Sequence, residues 1–345
     1  MSARPLASNK LAQPVPKRRN SGVLRVDPAA LATATAGAAG APGPTPAPGP
    51  STARAGVRLV LGATTVTLLV SAPADQDLSL TFASLLSRAG ARVLESEACT
   101  SGDGAYLFQR IHADASFVPG GVASIESQLC DAARLRRLRV EVERSERKRR
   151  VALFVSKFDH CLFDLLLRHR AGELECEVPL IVSNHPDLRH VAKQFGTEYA
   201  LIPKTAANKR DAEREESSLL ETHDVDLVVL ARYMQILSDE FVSRWEGRVI
   251  NIHHSFLPAF IGAKPYHQAQ QRGVKLIGAT AHYASATLDE GPIIEQDVVR
   301  CTHRDTVEDL VRKGRDLERQ VLSRAVRWHL QNRVIVHGNT TVVFS

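Results

Sequence analysis

The chain has 345 residues, 44% of them hydrophobic, which is enough for two ordinary globular domains. It contains no apolar run of membrane-spanning length, so we expect a soluble protein without a membrane partner. The five cysteines are widely spaced and include no C-x-x-C pair, which excludes a disulfide framework and a cysteine zinc site and favours a reducing, intracellular compartment.

The net charge of +6 is confined to the first part of the chain. Residues 1–55 hold seven Lys or Arg residues and one Asp, so the remainder is neutral. A basic patch on the folded body is the usual sign of nucleic-acid binding. We therefore predict no nucleic-acid partner.

Residues 1–55 form an Ala/Pro-rich tail with nine of the 17 prolines and no hydrophobic periodicity. Such a segment cannot bury enough apolar surface to offset the entropy of ordering it, so we predict disorder. Its basic residues are compatible with an organellar transit peptide, and its composition is equally compatible with a plain low-complexity extension. The predicted location is cytoplasmic, or mitochondrial if the tail is a transit peptide.

Residues 57–142 alternate between strand and helix patterns and are predicted to form a first domain. The predicted order is strand, helix, strand, strand, helix, strand, at residues 65–71, 78–89, 92–98, 105–113, 122–133 and 135–142. A Ser-Gly-Asp-Gly turn at 101–104 suits a hairpin between the middle strands. This spacing predicts an α+β, ferredoxin-like sandwich.

This first domain resembles an ACT domain, a small regulatory module. The resemblance rests on the segment SAPADQD (71–77), the following helix and RAGARVLESE (88–97). It implies a regulatory or dimerising role, and we expect a homo-oligomer that associates through this domain. The ACT pattern usually has Asp-Arg-x-Gly after the first strand, whereas residues 75–77 contain no glycine.

Residues 143–150 lie in the charge run EVERSERKRR (141–150) and are predicted to be a solvated linker. Residues 151–345 then alternate strands with helices of about ten residues, which predicts an α/β, doubly wound, mostly parallel sheet. Strands are predicted at 151–156, 178–183, 199–202 and 227–231, helices at 160–169, 187–194, 210–222 and 305–330, and a terminal hairpin at 333–344. The strand ends should line the carboxyl edge, where open α/β sheets bind ligands.

The chemistry is predicted at residues 248–294. A short strand ends in Asn251, His253 and Ser255, and the turn after the next β-type run, residues 275–283, carries Asp289. A carboxamide, an imidazole and a carboxylate can supply the oxyanion donor, the proton carrier and the orienting group for attack at a carbonyl carbon. Singly, each residue is also compatible with a turn cap, a core histidine or an ordinary turn aspartate.

Two motifs together resemble the active-site signature of the folate-dependent formyltransferase family. NIHHSFLP (251–258) is followed about 35 residues later by LDEGP (288–292), with GATAHY (278–283) between them. The resemblance implies a formyltransferase fold and assigns catalysis to Asn251, His253 and Asp289. It implies supporting roles for Thr280 and His282, and Ser255 is grouped with them.

The segment LARYMQILS (230–238) resembles the folate loop of that family. The resemblance implies that backbone groups hold the pterin and that apolar side chains line its slot. The implied folate-binding residues are Arg232, Tyr233, Met234, Gln235, Ile236 and Leu237.

The loop after the first strand of the second domain, SKFDHC (156–161), contains no glycine. A glycine-rich loop there would cradle the phosphate of a sugar-phosphate acceptor. We instead predict that Lys157, Phe158 and His160 close the acceptor side and that water is the nucleophile. With the ACT-like domain, these features are similar to the formyltetrahydrofolate deformylases, which implies hydrolysis of 10-formyltetrahydrofolate to formate and tetrahydrofolate, supply of the one-carbon pool for purine synthesis, and no cofactor.

Three alternatives remain. The chain could be a formyltransferase of the phosphoribosylglycinamide type with an amine acceptor. It could be a metal hydrolase using His253, His254 and His267, although adjacent strand residues point to opposite faces, and we predict no metal. It could be a non-catalytic ACT-type sensor, against which Asn251, His253 and Asp289 argue.

Overall fold

The computed structural model describes residues 24–26, 64–75, 81–136, 138–145, 147–258 and 265–345. Most of the tail that is predicted to be disordered therefore lies outside the described residues. So do residues 76–80, which include most of the glycine-free segment 75–77 and the start of the helix predicted at 78–89. Within the tail, strand β1 (Leu24–Val26) pairs antiparallel with β5 (Arg139–Arg144), so the prediction of disorder does not hold at these three residues. A short apolar run, Val-Leu-Arg-Val, provides the β-propensity that the surrounding Ala/Pro tracts lack.

The N-terminal unit is one antiparallel sheet with two helices. Its elements are β2 (Thr65–Pro73), α1 (Thr81–Arg88), β3 (Arg92–Thr100), β4 (Tyr106–Asp114), α2 (Val122–Arg136) and β5, and the strand order is β1-β5-β2-β4-β3. The helices bury Phe82, Leu86, Ile125 and Leu129 against alternate residues of the strands. Burial of these apolar side chains holds the unit together.

The boundary between the two units is tighter than the predicted linker. Strand β5 runs to Arg144 and strand β6 (Arg149–Val155) begins five residues later, so most of the charge run is not a solvated linker. Arg149 forms an ion pair with Glu143, at 2.6 Å. Helix α2 likewise continues to Arg136 through good helix formers, so the strand predicted from residue 135 begins at Arg139.

The C-terminal unit is built on a seven-stranded sheet, which confirms the predicted α/β, mostly parallel architecture. Its strands are β6, β7 (Cys176–Ser183), β8 (Glu198–Leu201), β9 (Leu227–Leu230), β10 (Val249–His253), β11 (Leu276–Tyr283) and β12 (Ile293–Arg300). The order is β12-β11-β10-β9-β6-β7-β8. The five strands from β10 to β8 are parallel, and β11 pairs antiparallel with both β10 and β12.

Helices cover both faces of this sheet. They are α3 (His160–Arg170), α4 (Arg189–Phe195), α5 (Lys209–Thr222), α6 (Asp239–Arg244), α7 (Pro265–Arg272) and α8 (Val307–Leu330). One core cluster contains residues of α3, α4 and α8, and a second contains residues of α5 and α6 on the other face. Helix α8 begins with a capping box between Thr306 and Asp309. Among the described helices, none combines the length and the apolar composition that crossing a bilayer requires.

The C-terminal hairpin of β13 (Val334–His337) and β14 (Thr340–Val343) joins the two units. Ile335 and Phe344 pack with Leu69 and Phe108 on the face of the N-terminal sheet that its helices leave free. The buried Arg110 of β4 also donates to the carbonyl oxygen of Asn332, at 3.1 Å. The N-terminal sheet thus has a packed layer on each face.

Candidate active site

The candidate catalytic side chains lie where strand β10 ends, between its parallel neighbour β9 and its antiparallel neighbour β11. The register places Asn251 opposite His282 and His253 opposite Thr280. Residues two apart in a strand share a face, so Asn251 and His253 point the same way. The pairing thus brings the residues of NIHHSFLP and GATAHY together, as their spacing predicts.

Asp289 reaches this strand end from the turn before β12. Its backbone is left-handed, with φ of 58°, and its carboxylate accepts from His253 Nδ1 at 3.2 Å, with His282 Nε2 at 3.7 Å. Gly291 permits the turn, because a Cβ there would lie 1.8 Å from the carbonyl oxygen of Tyr283. Burial opposes ionisation, but the hydrogen bond from His253 holds the pKa of Asp289 well below its usual value. The group is therefore a carboxylate at neutral pH.

The hydrogen bonds fix which ring nitrogens carry protons. His282 Nδ1 lies 2.9 Å from the carbonyl oxygen of Tyr283, which can only accept, so Nδ1 carries the proton. In the neutral ring, Nε2 then accepts from Asn251 Nδ2 at 3.1 Å, which leaves the second amide hydrogen of Asn251 available. By the same argument His253 donates from Nδ1 to Asp289, and its Nε2 can accept. Among the described residues, this buried Nε2 has no hydrogen-bond partner.

Thr280 ties the loop after β10 to the sheet. Its hydroxyl donates to the carbonyl oxygen of Ser255 at 2.9 Å and accepts from the backbone N–H of Leu257 at 3.1 Å. Gln296, which the sequence did not single out, donates to both Thr280 Oγ1 and the carbonyl oxygen of Leu257. The Thr280 hydroxyl thus holds the backbone of Ser255 and Leu257 against β11. The side chains of Thr280 and Ser255 are buried.

Comparisons with known proteins agree with this geometry. A family model described as formyl transferase matches residues 149–326. A formyltetrahydrofolate deformylase of Synechocystis sp. is 62% identical over 205 residues, which cover 59% of this chain and 72% of the relative. The chain belongs to the formyltetrahydrofolate deformylase family.

Two kinds of solved structure are similar to this chain. A formyltetrahydrofolate deformylase from Pseudomonas syringae pv. tomato has a TM-score of 0.78 and 41% identity, covering 83% of this chain and 96% of the other. A glycinamide ribonucleotide transformylase from Symbiobacterium toebii has a TM-score of 0.54 and 29% identity, covering 57% of this chain and 95% of the other. The similarity to the deformylase thus extends well beyond the part shared with the transformylase.

The segment that resembles the family's folate loop follows β9 directly. Met234 and Ile236 expose apolar side chains at the carboxyl edge, Gln235 and Leu237 are partly exposed, and the backbone N–H of Met234 donates to Ser156 Oγ at 3.0 Å. Two of the six predicted side chains point elsewhere. Tyr233 is buried and donates to Glu216 at 2.7 Å, and Arg232, with φ of 66°, turns towards Phe158 and Glu318. The side chain of Tyr233 packs in the core beside Phe154 and is held by Glu216, so only its backbone is available to a ligand.

The glycine-free loop that distinguishes this chain follows β6. Phe158 lies between two arginines, with the guanidinium of Arg232 5.1 Å and that of Arg315 5.6 Å from its ring centroid. Lys157 is exposed, whereas His160 is buried at the start of α3. His160 Nε2 donates to Glu318 at 2.8 Å. The loop is therefore fastened to α8 rather than left open.

Glu318 is a second residue near the site, besides Gln296, that the sequence did not single out. It is 1% exposed, and it accepts from His160 and from the hydroxyl of Tyr266. Burial alone would raise its pKa, but the hydrogen bond with His160 and the charge of Arg232 lower it, so the group is ionised. A signal existed in the sequence, because an acid stands between Leu317 and Val321 on the apolar stripe of α8.

Two sets of side chains could be considered as metal ligands: a buried cluster beside α8 and the three histidines of the metal-hydrolase alternative. His160, Cys161 and Glu318 bring ligand atoms within 4.8 Å of one another. Burial raises the pKa of the Cys161 thiol, which keeps it protonated, and Glu318 already accepts from other donors. Of the three histidines in the metal-hydrolase alternative, His253 is buried while His267 is exposed on α7. The pKa of the third, His254, is lowered to about 4 by burial and by the charge of Arg232.

Proposed function

We propose that this chain hydrolyses 10-formyltetrahydrofolate to formate and tetrahydrofolate. The observation that carries the proposal is the contact of His253 with Asp289 beside Asn251, in a chain that is 62% identical to a named deformylase over 205 residues. The glycine-free loop at 156–161 further favours water over a sugar-phosphate amine as the nucleophile.

We assign one role to each of the three proposed catalytic side chains. His253 Nε2 accepts a proton from the attacking water, because Nδ1 already donates to Asp289. Asp289 holds the ring and stabilises the imidazolium that forms. Asn251 directs its second amide hydrogen at the oxyanion that develops on the formyl oxygen, since its first is held by His282.

The reaction then balances without a cofactor. The water oxygen bonds to the formyl carbon, and the tetrahedral intermediate collapses by breaking the bond from carbon to N10. The electron pair goes to N10, which receives the proton that His253 took from water. The formic acid that forms ionises by releasing the second proton of the water to solvent. Formate and tetrahydrofolate leave, and both the imidazole and the carboxamide return to their starting states.

The substrate's pterin is proposed to bind along residues 232–237. The exposed side chains of Met234 and Ile236 supply apolar surface, and the backbone groups of the segment supply hydrogen bonds. The side chain of Arg232 is assigned instead to the acceptor side, where it stacks on Phe158. Lys157, Phe158 and His160 close that side.

The N-terminal unit is proposed to be an ACT-like module through which the chain forms a homo-oligomer. The strand order β5-β2-β4-β3 with two helices on one face supports a split βαβ arrangement. Strand β3 lies at the edge of this sheet, and no described strand pairs with its outer side. An unpaired edge is a surface on which a second copy can add.

Formate release from 10-formyltetrahydrofolate tests the proposed reaction. We expect release at the same rate with and without glycinamide ribonucleotide, and after treatment with a chelator, because neither an amine acceptor nor a metal takes part in the steps above. Formate should be quantified with a coupled dehydrogenase. Dependence on the ribonucleotide would favour the transferase alternative, and loss of activity with the chelator would favour the metal hydrolase.

A further inference from the structure

One buried carboxylate connects three segments around the acceptor side of the site. Glu318 of α8 accepts from His160 at the start of α3 and from Tyr266 of α7, at 2.8 and 3.0 Å. Arg232, from the segment after β9, places Nε 3.4 Å from the same carboxylate. These segments follow β6, β10 and β9, the three adjacent strands whose ends form the site.

The same cluster reaches both the catalytic imidazole and the closing phenyl ring. The ring of Tyr266 lies 6.2 Å from that of His254, which in turn lies 5.0 Å from that of His253. On the other side, Arg232 stacks on Phe158 at 5.1 Å. Glu318 is thus connected to Phe158 through Arg232. Through Tyr266 and His254 it is connected to the end of β10.

Helix α8 is shaped to accept this arrangement. Gly314, one turn before Glu318, would place a Cβ 1.9 Å from the hydroxyl of Tyr266. Any side chain there would force Tyr266 away from the carboxylate. Burying an acid at 1% exposure is unfavourable unless donors or positive charges surround it. Here the hydrogen bonds from His160 and Tyr266 and the nearby guanidinium of Arg232 do so. Because a stability role alone would be served as well by an apolar residue, the acid calls for a role in the site.

We propose that Glu318 is a positioning residue that determines nucleophile specificity. Glu318 holds His160 and Arg232 against α8, and these two residues keep the ring of Phe158 over the acceptor side. Water can then reach the formyl carbon, whereas amines cannot. This proposal rests on the proposed hydrolysis, and it identifies Glu318 as the residue that restricts the nucleophile to water.

The competing reaction to be measured is attack by hydroxylamine, a small amine nucleophile. Its nitrogen bonds to the formyl carbon, the bond from carbon to N10 breaks, and N10 takes the proton that the attacking nitrogen loses. The products are formylhydroxamate and tetrahydrofolate. The ratio of formylhydroxamate to formate reports access to the acceptor side, and it is insensitive to the fraction of protein that is folded.

The deciding variant is Glu318→Gln, which keeps the shape of the side chain and removes its charge. We expect the product ratio, corrected for the enzyme-free reaction, to rise at least about tenfold over that of the unaltered chain, since hydrogen bonds to a charged acceptor are lost. Asp316→Asn is the matched control, because Asp316 lies on the same helix and is exposed. Its ratio should not change.

His160→Leu provides a second route if Glu318→Gln does not fold. It removes only the donor from the acceptor-side loop, and it should also raise the ratio. An unchanged ratio in the folded variants would overturn the proposal and leave Glu318 a structural residue. Failure of the proposed function is a separate result, because it would appear as absence of formate release by the unaltered chain without any amine.

Discussion

At the scale of single residues, the site depends on which protons are fixed before substrate arrives. The carbonyl oxygen of Tyr283 forces the proton of His282 onto Nδ1, and this choice orients the amide of Asn251. Asp289 does the same for His253. The proposed oxyanion donor, Asn251, and the proposed proton acceptor, His253, are therefore oriented by neighbouring side chains and backbone.

We predict that Asn251→Ala, His253→Ala and Asp289→Asn each reduce kcat at least about a hundredfold, with KM for the folate changed little. The proposed pterin-binding segment, residues 232–237, does not include these side chains, so binding should persist. Steady-state formate release measures both constants, and circular dichroism controls for folding. Double variants should lose less than the product of the single losses, because the residues act together. Near-normal turnover of folded Asp289→Asn would contradict the assignment.

The motifs pointed to Asn251, His253 and Asp289, and the structure brings these three together, while their catalytic roles stay predictions. Glu318 was missed for a physical reason. Its partners come from segments 52 to 158 positions away in the chain, so no local spacing reveals the network. Tyr233 and Arg232 were grouped with their neighbours because a sequence segment does not show which way alternate side chains turn.

At the scale of elements, strands were predicted better than their connections. Apolar runs separated by helical periods predicted the parallel sheet, and the structure confirms it. The run at 141–150 was misread because charge alone resembles a solvated linker. Its residues instead end one strand and begin the next, where Arg149 pairs with Glu143.

The loop after β6 provides a prediction at this scale. Phe158→Gly should open the acceptor side and lower kcat for hydrolysis about tenfold or more, because the ring between Arg232 and Arg315 is removed and the site admits more solvent. Asp159→Gly is the matched control, since Asp159 is an exposed neighbour in the same loop whose side chain makes no capping hydrogen bond. Formate release by each variant is the measurement. Unchanged turnover in Phe158→Gly would show that the loop is only structural.

At the scale of the whole molecule, the two units are joined by contacts that the sequence did not predict. Arg110 of the N-terminal sheet donates to the backbone of Asn332, and Arg149 contacts both Glu143 and His329. His329 also contacts the hydroxyl of Tyr283, whose carbonyl oxygen fixes the tautomer of His282. Side-chain pairings between distant segments carry no periodic signal, so this connection appears only in three dimensions.

The edge of the N-terminal sheet provides the last prediction. Strand β1 covers one edge, whereas β3 exposes the other, including Leu94 at 44%. We expect the full chain to be an oligomer by light scattering at micromolar concentration, with a copy added along β3. A charge on an edge strand opposes such pairing, so Leu94→Lys should weaken association about tenfold or more. Leu167→Lys, at a site that is 48% exposed on α3, is the matched control and should leave the mass unchanged. A monomeric full chain would contradict the homo-oligomer, and an oligomer that Leu94→Lys does not weaken would place its interface away from this edge.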